Sequence, residues 1–110
     1  MATAKFWQNG GHLDYVNSTG SKIAANTVIL YGSRIAVAGG DIPNGEKGAL
    51  IVEGVFEFPK DNAAITAGAE VYWDANSSVI TATSTDNTLA GYAVDAAAAD
   101  DTKVLVKINA

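Results

Sequence analysis

His12 and Asp14 are the two side chains whose types and spacing come nearest to a proton-transfer pair. Two positions apart on a strand, they would point to one side and could share a hydrogen bond. No nucleophile motif accompanies them among the Ser and Thr residues, and a single His in a Gly-rich N-terminal segment is an ordinary surface residue. Asp74-Ala75-Asn76-Ser77-Ser78 begins like a calcium loop, with oxygen ligands at alternate positions. The pattern then fails: the sixth position, which needs Gly, is Val79, and the twelfth, which needs Glu, is Thr85. That segment therefore reads as a hairpin turn, and Asp95, Asp100 and Asp101 read as a solvated acidic loop. No Gly-Lys dipeptide exists to start a phosphate-cradling loop, and the absence of Cys removes thiolate chemistry and Cys-based zinc. The residues thus assign no catalytic, cofactor-binding or metal site, and the chain is read as a non-enzyme.

Aromatic residues point instead to recognition. Tyr72 and Trp73 are adjacent, and neighbours on a strand face opposite ways, so one ring is expected to reach a partner or the rim of the fold. Lys5, Phe6 and Trp7 place a cation beside two rings in a segment with little periodicity, where a neighbouring subunit or partner would receive them. Lys5, Phe6, Trp7, Tyr72 and Trp73 are the expected partner-contact residues. A carbohydrate-binding or adhesin-like module using the same rings on β-hairpins is the alternative.

Short apolar runs separated by Gly, Pro, Asn and Asp leave no room for intervening helices, so the expected fold is all-β. It is a single small β-barrel or sandwich of short antiparallel strands with an N-terminal arm. Residues 1–22 are expected to form an arm or edge strand and residues 23–110 the β domain. Strands are expected at 28–31 and 34–38 around a Gly32-Ser33 turn, at 49–58 with an interruption at Gly54, and at 70–74, 78–83, 89–94 and 103–108. Asp41-Ile42-Pro43-Asn44-Gly45 is a turn, the four alanines from Ala96 to Ala99 make at most one helical turn, and no internal repeat stands out.

Twenty Ala against 23 Val, Ile and Leu imply a thin core that gains from association. The net charge is −5, with three basic and one acidic residue before position 41 and four basic against eleven acidic after it. This argues against nucleic-acid binding. No stretch has the length and apolarity of a membrane span or a secretory leader, which predicts synthesis and use in the cytoplasm.

The ordered series Asn26-Thr-Val-Ile-Leu-Tyr-Gly32, Ile35-Ala-Val-Ala38, Asp41-Ile-Pro-Asn-Gly45, Gly48 and Glu53-Gly-Val-Phe-Glu-Phe-Pro-Lys60 resembles the small phage capsid cement, or head decoration, family. Ala64-Ile-Thr-Ala-Gly-Ala-Glu-Val-Tyr-Trp-Asp74, Asn87-Thr-Leu-Ala-Gly-Tyr-Ala-Val94, Ala96 to Ala99 and Val104-Leu-Val-Lys-Ile108 continue the resemblance, which covers roughly residues 20–109. Members are often labelled as recombinases, which the missing nucleotide loop and basic surface contradict here. The order of strands is also loosely similar to lambda-type head decoration proteins, which act as trimers. The resemblance implies a structural virion protein that binds the major capsid protein on the outer head surface and stabilises the coat lattice, as a homotrimer or a dimer.

Overall fold

The computed structural model describes residues 2–6 and 8–110, and Trp7 lies outside them. Its nine strands are β1 (His12–Val16), β2 (Val28–Tyr31), β3 (Arg34–Ala38), β4 (Lys47–Ile51), β5 (Val55–Pro59), β6 (Glu70–Asp74), β7 (Val79–Thr81), β8 (Thr88–Ala93) and β9 (Lys103–Ile108). There is no helix among the described residues. Two antiparallel sheets form, in the orders β1-β4-β3-β2 and β5-β9-β8-β6-β7. Neither closes into a barrel, although a bridge between Lys60 and Ile80 joins the two edges of the second sheet at one end.

Alternation of apolar and polar residues, with Gly, Asn, Asp86 or Ser78 where φ is positive, accounts for these elements. Gly32 at φ 62° makes the expected tight turn between β2 and β3, whose register runs from Val28 opposite Val37 to Tyr31 opposite Arg34. The apolar run 49–58 is not one strand. At Gly54, with φ 126°, the chain leaves β4 in the first sheet and enters β5 in the second, and only Gly adopts that conformation readily. Ala96 to Ala99 form no helix, because Ala97 exchanges both backbone hydrogen bonds with Ile65. The expected arm or edge strand holds β1, which pairs along its length with β4 and forms the edge of its sheet.

The two sheets are two copies of one arrangement, which the sequence disguises. β1, β4, β3 and β2 stand to one another as β5, β9, β8 and β6 do. Val52 donates its amide to Gly11 as Ile108 does to Gly54, and Ala38 donates to Thr27 as Ala93 does to Ala69. The bridged pair Ile23 and Ile42 matches Ile65 and Ala97. Each half also has a buried polar residue just after its first strand. Asn17 Nδ2 donates to the carbonyls of Ser21 and Ile42, and Lys60 Nζ donates to those of Asp61, Ala98 and Asp101.

Three departures separate the halves. β7 has no equivalent in the first half, because Gly32-Ser33 turns directly from β2 into β3. β8 carries an extra residue, Ala90, where the register against β6 shifts between Val71 and Tyr72. The residues at the matched positions also differ: Ile42 lies over Gly48 in the first half, whereas the second half holds Ala97 and Val104 there, both in its core. A Cβ on Gly48 would stand 2.5 Å from Ile42 Cγ1. Gly48→Val is therefore expected to cost about 1–3 kcal/mol and Ile42→Ala about 2–5 kcal/mol. The double variant, which copies the other half, should cost less than the sum of the two in urea unfolding.

Two cores result. Ile35 and Val37 of β3 join Phe58, Ile65, Val71, Trp73 and Ile80 in the larger, while Ala36 and Ala38 join Ile23, Ile42 and Leu50 in the smaller. β3 is thus buried on both faces and mortises the sheets together. Asn109 adds a polar clasp: its amide donates to Ala90 O at the bulge, and its Nδ2 donates to Ile35 O and Val52 O in the other half, each at 2.8 Å. The whole forms a slab of 43 × 42 × 22 Å.

Candidate functional site: apolar surfaces on a flat slab

Of the groups singled out for chemistry, Asp14, Asp74 and Asp101 make local contacts. Asp14 and His12 lie exposed on edge strand β1, and Asp14 approaches Lys47 Nζ across the strand pair at 3.8 Å. Asp74 Oδ1 accepts the amides of Asn76 and Ser77, making the hairpin turn expected of that segment. Asp101 Oδ2 accepts the amide of Ala98 at 2.8 Å, closing the acidic turn upon itself. Glu57, Asp95, Asp101 and Lys103 border a shallow cleft of about 150 Å³ whose remaining lining is Ala96, Ala97, Val104 and Leu105.

Alternation along β6 divides the expected aromatic pair. Trp73 is 8% exposed, with its ring 5.9 Å from that of Phe58, so it belongs to the core of the single chain. Tyr72 points the other way and is half-buried. A glycan platform built on both rings is not presented. The structure instead places Tyr72 opposite Leu89 on the outer face of the five-stranded sheet. Along that face run Tyr92 opposite Lys107, Leu105 opposite Glu57, and Val55, also opposite Lys107. Lys107 Nζ stands 6.0 Å from the centre of the Tyr92 ring. Val55, Leu89 and Leu105 are exposed large apolar residues in this row. Period-two alternation already placed Leu105 on the wet face of its strand, but which strands lie beside it depends on long-range pairing.

The N-terminal arm presents a second surface. Lys5 is exposed and Phe6 is 79% exposed, and the arm's side-chain hydrogen bond among the described residues is from Gln8 Nε2 to its neighbour His12 O. The expected contact residue Trp7 lies outside the described residues. A third apolar feature escaped the sequence reading: an open hollow of about 350 Å³ lined by Leu13, Tyr31, Arg34, Ile35, Val52 and Asn109. Its residues come from both ends of the chain, so no local pattern announces it.

Surfaces of this kind bind other macromolecules, since exposed apolar side chains grouped on one face and rimmed by charge mark interaction sites. No curated protein and no solved structure matches the chain. A family profile described as phage cement protein matches residues 7–108, nearly the whole length. The all-β slab with its exposed apolar surfaces accords with a structural virion role, and the chain belongs to the phage cement protein family.

Proposed function

We propose that the protein binds the outer surface of a phage head, contacting the major capsid protein, and stabilises the coat lattice as a homotrimer. The supporting observation is the thin slab with a continuous outer sheet face, where Val55, Tyr72, Leu89 and Leu105 alternate with Glu57, Glu70, Lys103 and Lys107. Such a face covers area without needing a deep cavity. Many copies on one shell convert modest single contacts into firm attachment and add resistance to outward pressure. Lys5, Phe6 and Tyr72 are the contact residues this reading retains from the sequence.

Mixing the purified protein with undecorated heads should give co-sedimentation and raise the temperature at which the heads rupture. Leu105→Asp combined with Leu89→Asp puts charge in the middle of the outer face without entering either core. It is expected to weaken attachment at least tenfold, about 1.4 kcal/mol or more, while the circular dichroism spectrum is unchanged. Protein that ignores heads, or a double variant that binds them as before, would remove the reading of this face.

A further inference from the structure

Among the described residues, the first half of the molecule lacks the strand that β7 supplies in the second half, and the gap shows what should fill it. In the second half, β7 adds to the edge of β6, with Thr81, Ile80 and Val79 opposite Tyr72, Trp73 and Asp74. Ile80 is fully buried there, in the same core as Trp73 and Ile108, with Phe56 packed against it. The shared pairing pattern makes Leu30, Tyr31 and Gly32 the counterparts of Tyr72, Trp73 and Asp74. No strand among the described residues lies against that end of β2. Accordingly Leu30 is 48% and Tyr31 44% exposed, whereas Trp73 is covered. Leu13, Tyr31 and Val52, the counterparts of Phe56, Trp73 and Ile108, line the apolar hollow, which therefore lies where an incoming residue opposite Tyr31 would point.

We infer that the open edge of β2 receives the N-terminal arm of a second copy of this chain, with Phe6 taking the part that Ile80 plays in the other half. The arm and the edge are unsatisfied in complementary ways. The described arm residues, Ala2 to Phe6 and Gln8 to Gly10, are all exposed and form no regular structure, while the edge offers unpaired backbone groups beside an apolar recess. A Phe side chain buries roughly 150–250 Å² and fits a recess of this size. Arg34 at the rim can stack on its ring. The arm starts at the near end of β1, within reach of its own hollow, yet in the single chain Phe6 remains outside it, which leaves the recess to a neighbour. Arm-to-edge contact is heterologous, so a small number of copies closes a ring in which each gives one arm and receives one.

This assignment deepens the reading of the arm as a contact segment, and it is tested without heads so that the two readings fail separately. The wild-type chain should sediment as a closed oligomer. Phe6→Asp, which spoils the arm, and Tyr31→Asp, which spoils the recess, should each weaken association at least tenfold and sediment as monomers. The decisive measurement is their equimolar mixture: the intact arm of Tyr31→Asp can enter the intact recess of Phe6→Asp, so a mixed dimer should appear that neither variant forms alone. Leu30→Asp serves as a second recess variant should Tyr31→Asp lose its native circular dichroism. A monomeric wild type, variants that keep the wild-type mass, or a mixture that stays monomeric would each overturn the inference.

Discussion

Gly91→Ala is expected to remove most of the folding stability of this protein. Gly91 sits in β8 at φ 149°, beside the extra residue Ala90, and lies against Ile108 of β9. A methyl group there would overlap the Lys107 carbonyl oxygen, and would stand 2.9 Å from the Lys107 carbonyl carbon and 3.1 Å from Ile108 Cα. These are backbone atoms in the middle of a sheet, so they cannot step aside as a side-chain tip can. The strain also reaches Asn109, whose amide bonds to Ala90 O and whose side chain ties β3 and β4 to the second sheet. A loss above ~4 kcal/mol consumes most of the stability of a domain of this size. Gly40→Ala, at a site with no atom within 4 Å of the new methyl, should change urea unfolding by no more than about 0.5 kcal/mol. Ala36, the counterpart of Gly91 in the first half, already carries a Cβ, because β2 and β3 pair there without an extra residue.

Lys60→Met should cost about 3 kcal/mol or more and lower the melting temperature by roughly 10–20 °C. Lys60 is 7% exposed, and its Nζ uses three donors on the carbonyls of Asp61, Ala98 and Asp101 at 2.8, 2.9 and 3.1 Å. Met keeps the stem and its packing but leaves all three acceptors without this donor. The position matters beyond its own bonds, since the bridge from Lys60 to Ile80 is where the edges of the second sheet meet. Amide exchange is therefore expected to rise first at Asp61 and Asp101, before global unfolding. Lys103→Met, at an exposed lysine, should leave stability within about 0.5 kcal/mol. Equal losses in the two lysine variants would show that Lys60 acts only through net charge.

Strand existence and turn placement follow from local patterning, because alternation and the demand for Gly or Asn at positive φ are written in consecutive residues. β2, β3, β6 and β9 lie where the alternation puts them, and turns fall at Gly32-Ser33 and after Asp74 as expected. Opposite orientation of Tyr72 and Trp73 is likewise a local necessity, though which ring would be buried is not. The family, too, is legible in the ordered series of short motifs, and its profile spans residues 7–108.

Tertiary structure decided the rest. Whether 49–58 is one strand or two depended on Gly54 delivering the chain to a different sheet, a matter of partners rather than propensity. The internal duplication is invisible in the residues because backbone pairing and turns are what the halves share. Ile42 over Gly48 in one half has Ala97 and Val104 at the matched positions of the other. The outer face joins strands distant in sequence, and the hollow gathers Leu13, Tyr31, Val52 and Asn109 from across nearly the whole chain. Local patterning thus determined the all-β class and the family, while the placement of the apolar surfaces awaited the pairing of strands far apart in the chain.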